Sequence, residues 1–104
     1  MSDISQHTYY KYIGKTTGNK NVIGLPGIGW EELLIIVQGA SDIYHFYSTI
    51  VPKEIMRDKT TYWRFGTQLS DIVVTIFPTY IQLHKAIIEN IDYAESTTIY
   101  LYCR

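Results

Sequence analysis

Residues Glu31 to Pro52 read EELLIIVQGASDIYHFYSTIVP, and the fold turns on what this stretch forms. Leu33-Leu34-Ile35-Ile36-Val37 is one apolar run and Ile43 to Val51 is another. Between them Gly39-Ala40-Ser41-Asp42 has the small, polar composition of a tight reversal. Trp30, Leu33, Leu34 and Val37 are also spaced as one face of a helix. The strand reading is the better supported, because the run is short, its centre is β-branched and a glycine follows. An apolar run without alternation is buried on both faces, which predicts a hairpin at the centre of the core.

Outward from that hairpin the chain reads as short strands. On the N-terminal side, residues 1 to 7 are polar and predict a loose arm. Thr8 to Ile13 has strand composition, Gly14 to Asn21 (GKTTGNKN) reads as a turn cluster, and Asn21 to Leu25 as a second strand broken by Pro26-Gly27. On the other side, Lys53 to Lys59 is a charged connection with room for one helical turn. Thr61 to Gly66 (TYWRFG) is a short aromatic strand or loop. Ser70 to Phe77 places Ile72, Val74 and Ile76 on one face and Val73, Thr75 and Phe77 on the other, and Pro78 stops it. Tyr80 to Ile88 begins with strand alternation, but Leu83, Ile87 and Ile91 also fit a helix, so both remain open there. After a turn at Glu95-Ser96, Ile99, Leu101 and Cys103 alternate with Tyr100 and Tyr102. About eight short strands at such spacing predict an all-β fold, a single antiparallel β-sandwich of jelly-roll type spanning residues 1–104.

The totals exclude several classes. A chain of 104 residues with 46% hydrophobic and 18% charged content has enough apolar surface to fold as one domain. A formal net charge of −1 gives no electrostatic footprint for nucleic acid or an anionic membrane. No run of about 18 apolar residues is present to span a bilayer, and residues 1–6 lack the basic and apolar regions of a signal peptide. The single cysteine, Cys103, permits no internal disulfide and reads as a small apolar residue of the last strand.

A search for chemistry returns little. Gly14-Lys15-Thr16 suggests a phosphate loop, but Tyr9 stands where that motif needs a glycine, and a hairpin turn is the sounder reading. His7, His45 and His84 have no metal-ligand spacing, and no serine sits in a nucleophile elbow. Glu31-Glu32 and Glu54/Asp58 are carboxylate pairs without the apolar setting that raises a pKa. No catalytic residue, metal or cofactor is therefore assigned, and the expectation is a protein without enzymatic activity. What stands out is ten tyrosines, a residue favoured at recognition surfaces for its large contact area, few rotatable bonds and polar tip. If Ile99 and Leu101 face the core, Tyr100 and Tyr102 face outward, toward solvent or a partner chain. Tyr62-Trp63-Arg64 has the composition of an interface anchor or a sugar-stacking platform. Packing at the edge of the core is the competing reading for each.

The order of features resembles the small β-sandwich domains of tail-fibre and other virion proteins from phages of Gram-positive gut bacteria. The resemblance rests on the Thr16-Thr17-Gly18-Asn19 turn, Leu25-Pro26, the Trp30 to Val37 run, and Tyr44 to Val51 leading into Pro52-Lys53-Glu54-Ile55. It continues through Tyr62 to Gly66, Ile81-Gln82-Leu83 and Thr98 to Tyr102. Phe65-Gly66-Thr67 and Glu89-Asn90-Ile91 depart from the Gly-Tyr-Tyr and Asn-Gly often found at those places. The resemblance implies a surface-exposed structural protein of a virion, made in the host cytoplasm and assembled as a homotrimer. Its implied partners are copies of itself, other virion proteins and a host cell-surface glycan or protein. Two jobs fit, a fibre-tip adhesion module or a capsid decoration protein. A small phage-encoded inhibitor of a host protein is a third reading from a different class.

Overall fold

The computed structural model describes residues 9–27, 29–39, 47–56, 60–65 and 70–104. Among the described residues nine strands form two antiparallel sheets. They are β1 (Lys11–Thr17), β2 (Val22–Gly24), β3 (Glu32–Gln38), β4 (Tyr47–Pro52), β5 (Thr61–Phe65), β6 (Ser70–Ile76), β7 (Tyr80–Ile88), β8 (Ile91–Asp92) and β9 (Thr98–Cys103). The first sheet has the order β1-β9-β3-β4. The second runs β2-β7-β6-β5, and β8 pairs with β7. The only regular α-helix among the described residues is the single turn α1 (Lys53–Met56), within the charged connection. The β-sandwich expected from strand spacing is thus the architecture. Placing β1 beside β9 and β2 beside β7 wraps the chain from sheet to sheet as in jelly rolls, while β3–β4 and β5–β6–β7 close as consecutive antiparallel neighbours.

The Glu31 to Pro52 stretch does form a hairpin, and β3 is its strand rather than a helix. Leu33, Ile35 and Val37 are completely buried between the sheets. On the opposite face Leu34 is only 6% exposed, so β3 comes close to burial on both sides. The register corrects the tight reversal. Leu33 faces Val51 and Val37 faces Tyr47. A four-residue turn at Gly39 to Asp42 would instead have set Gln38 against Ile43. The connection is therefore longer, spanning residues 39–46, and Ala40 to Phe46 lie outside the described residues. Two-sided pairing explains why β3 tolerates that: Leu33 to Gln38 are also held by β9, from Cys103 to Thr98.

The core follows from alternation. Ile99, Leu101 and Cys103 point inward from β9, meeting Ile72, Val74 and Ile76 of β6 and Ile81, Leu83 and Ala86 of β7 in one cluster. Cys103 is a buried free thiol in that cluster, as its apolar reading implied. Trp30 closes one end, its indole N–H donating to the Pro26 carbonyl at 3.0 Å.

Two segments differ from their local composition. Gly14-Lys15-Thr16-Thr17 belongs to β1, not to a turn, because it pairs with β9 from Leu101 to Thr98. The reversal is confined to residues 18–21, where Gly18 has a φ of 95° that a side chain would strain. A register shift between Tyr12 and Gly14 marks a bulge, and Ile13 packs toward the core there. In β7 a second shift, opposite Val73/Val74, resets the alternation after Leu83, so Ala86 is again a core residue. Of the Leu83, Ile87 and Ile91 positions that also fitted a helix, only Leu83 is in the core, and Ile91 is 54% exposed.

Beyond β7, Glu89 and Asn90 join Ile88 to its cross-strand partner Ile91, with φ of 50° and 68°. A two-residue reversal with both φ positive suits Asn-Gly and disfavours glutamate. Replacing Glu89→Asn together with Asn90→Gly is expected to stabilise the protein by about 0.5–1 kcal/mol. Thermal unfolding should show the midpoint rising by roughly 2–8 °C.

Candidate functional site

β5 carries Tyr62, Trp63 and Arg64, and its alternation separates them. Trp63 pairs with Val74 and turns inward, where it packs against the core. Its indole N–H donates to Thr49 Oγ1 at 3.1 Å, a bond that ties the second sheet to β4 of the first. Tyr62 and Arg64 are on the solvent side. Tyr62 is 63% exposed and meets His84 edge-to-face at a ring distance of 5.6 Å. The Arg64 guanidinium donates to Asp71, whose other oxygen accepts from Lys85 Nζ at 3.3 Å. These long side chains cover Val73 and Thr75, which explains why both are buried on an outer face. The Tyr62-Trp63-Arg64 platform is therefore two outward residues and one that joins the sheets. His7 and His45 lie outside the described residues.

The Asp71 carboxyl is pulled two ways. Burial favours its protonated form, but hydrogen bonds and charge from Lys85 and Arg64 outweigh that and hold it below its ordinary range. A depressed folded-state pKa adds stability above the unfolded-state value, and this is lost as pH falls through the folded value. The groups are well exposed, so solvent screening keeps the whole contribution to about 1 kcal/mol or less. Asp71→Asn should flatten the acid side of the stability–pH curve, its difference from the unaltered protein disappearing once the pH lies below the depressed folded-state value.

A second solvent-facing surface belongs to the first sheet. Cross-strand partners share a face, and here they assemble Tyr12 on β1, Tyr102 and Tyr100 on β9, Leu34 and Ile36 on β3, and Ile50 on β4. Tyr12 and Ile50 are 50% and 45% exposed. Tyr12 and Tyr102 meet edge-to-face at 5.4 Å. Tyr100 donates its hydroxyl to Gln38 Oε1, and Lys15 Nζ stands 6.0 Å from its ring centre. The outward orientation read for Tyr100 and Tyr102 is the observed one.

At one end of this face is a group that sequence reading did not join. Tyr10 donates its hydroxyl to Glu32 Oε1 at 3.0 Å, and Arg104 Nη2 reaches the same oxygen at 2.6 Å. The guanidinium lies 5.4 Å from the Tyr10 ring centre. Burial, then the hydrogen bond and negative charge of Glu32, raise the Tyr10 phenol above its ordinary pKa, against a smaller lowering by Arg104. With Tyr9 and Ile50 these side chains line an open concavity of about 220 Å³. No local pattern signals it, because β9 must first bring Arg104 beside Glu32. Among the described residues no three His, Cys, Asp or Glu side chains are grouped to hold a metal, and no helix is long and apolar enough to cross a membrane.

The fold and this surface define a β-sandwich with a tyrosine-rich outer face. No family model matches the chain, and neither does any curated protein or solved structure.

Proposed function

We propose that the chain is a phage virion structural protein, a surface-exposed fibre or receptor-binding module without catalytic activity. Its recognition face is the outer surface of the β1-β9-β3-β4 sheet. One observation carries this reading: the face that an antiparallel sheet normally gives to water as polar residues is instead paved by Tyr12, Tyr100, Tyr102, Ile36 and Ile50 over Leu34. Aromatic rings held on a rigid sheet bind with little loss of side-chain freedom. The order of features shared with phage fibre domains supplies the setting, including the homotrimer and the host-surface partner.

The test mixes purified protein with cells of Gram-positive gut bacteria and, separately, with stripped capsids of their phages. Capture by cells, lost in Tyr12→Ser and Tyr102→Ser, supports the adhesion role. Capture by capsids alone makes the chain a decoration protein, and capture by neither favours an inhibitor of a host protein. Sedimentation at micromolar concentration is expected to show a homotrimer, and a 12.1 kDa species would refute it. If the two serine variants change the sedimentation and leave cell capture intact, the face is an assembly surface instead.

A further inference from the structure

We infer that the concavity formed by Tyr9, Tyr10, Glu32, Ile50 and Arg104 is a binding site for one neutral pyranose ring, a deepening that rests on the recognition face proposed above. Tyr9 is the stacking platform: it is 71% exposed at the rim, with a ring wide enough for the C–H face of a sugar. Beside it stand both polarities that paired sugar hydroxyls require. Arg104 is the donor, and Glu32 and the Tyr10 oxygen, whose one proton is committed to Glu32, are acceptors.

The electrostatics select against ions. Glu32 and Arg104 are paired at 2.6 Å, so the site presents a dipole rather than a net charge. A cation at Glu32 would sit against the Arg104 guanidinium, and an anion at Arg104 against the Glu32 carboxylate, so each meets a like charge. A hydroxyl-rich neutral ring can bond to both with the pair intact. Both internal hydrogen bonds end on Glu32 Oε1, so Oε2 takes neither of them. The volume of about 220 Å³ lies below the usual range for drug-sized ligands, roughly 300–1,000 Å³, and suits a single ring. The backbone supports the geometry. Glu32 N–H donates to the Arg104 backbone oxygen at 3.1 Å, and Arg104 N–H returns a bond to the Glu32 carbonyl at 3.0 Å, so carboxylate and guanidinium are set by the sheet ladder.

The experiment uses the full chain, isotope-labelled, and a panel of methyl glycosides of hexoses and N-acetylhexosamines at millimolar concentration. At least one glycoside should shift the amide signals of Tyr9, Tyr10, Glu32 and Arg104. Tyr9→Ala should weaken that binding about tenfold or more, as expected for a contact residue. Tyr9 is exposed, so this variant should melt with the unaltered protein. Glu32→Gln, which keeps the shape and removes the charge, should weaken binding too, and its melting temperature separates that effect from a loss of fold. No shift with any glycoside, or a shift unchanged in Tyr9→Ala, overturns the inference. So does a response to N-acetyl-arginine amide in place of the sugars, which would make the site a reader of basic peptides. If cells still capture the protein through Tyr12 and Tyr102 while no glycoside binds, the recognition face survives and this site falls alone.

Discussion

Replacing Leu33 by alanine is expected to remove about 2–5 kcal/mol of stability. Leu33 is fully buried in β3, with Val51 and Cys103 as its cross-strand neighbours. β9 is held on its far side by β1, whereas β4 is the edge strand of the sheet and pairs with β3 alone, so the walls of the vacated space close only in part. That places the change near the middle of the range. A domain of this length has about 5–15 kcal/mol in total, so the variant is at the edge of folding. Thermal unfolding should show the midpoint falling by on the order of 10–25 °C. Ile50→Ala on the outer face is the comparison: its side chain is 45% exposed, and a loss above about 1.5 kcal/mol would mean that the outer face is more deeply covered than described.

Trp63→Ala is expected to be almost as damaging, at about 3 kcal/mol, near the low end for a buried indole because the ring is only partly buried. The loss has two parts. Removing the ring leaves a space between β5 and the core, and removing the N–H leaves Thr49 Oγ1 without its donor. Trp63→Phe retains most of the packing and should cost only about 1 kcal/mol beyond the change of shape. Thr49→Val removes the same bond from the other side. Denaturant unfolding of Trp63→Phe, Thr49→Val and their combination should show a coupling of about 0.5–1.5 kcal/mol. Strict additivity would mean that the bond joining the sheets has no net worth. If instead Trp63→Ala keeps its midpoint and abolishes cell capture, Trp63 is a contact residue and Tyr62-Trp63-Arg64 is the recognition loop.

The parts of the fold legible in the sequence are those set by a strand's own period. Ile99, Leu101 and Cys103 against Tyr100 and Tyr102 fixes two faces without knowledge of any neighbour. Alternation puts Val73 and Thr75 on the face opposite Ile72 and Val74, but their burial is not legible, because Arg64, Asp71 and Lys85 cover them only once three strands are paired. The Gly14 to Thr17 segment departs from its local composition for the same kind of reason. Its glycine and threonines suggest a turn locally, and pairing with β9 overrides that preference. The candidate sugar site is the extreme case: Tyr10, Glu32 and Arg104 come from three strands or their margins and carry no shared spacing. Alternation did imply that Trp63 and its neighbours point opposite ways, but not which way was inward.

The position of β9 also fixes an order in time. It is the ninth strand, yet it lies between β1 and β3 and pairs with both. During synthesis, β1 and β3 are made early and have no bond to each other until Thr98 to Cys103 arrive. Nascent chains halted before Thr98 would therefore carry an orphaned β1 and an open apolar edge along β3, a template for pairing between neighbouring polysomes. Joining by so distant a segment makes closure slow, since the long loop must be ordered before its contacts form. Production of this protein should thus be unusually sensitive to early termination, with shortened products accumulating as aggregates rather than as folded fragments.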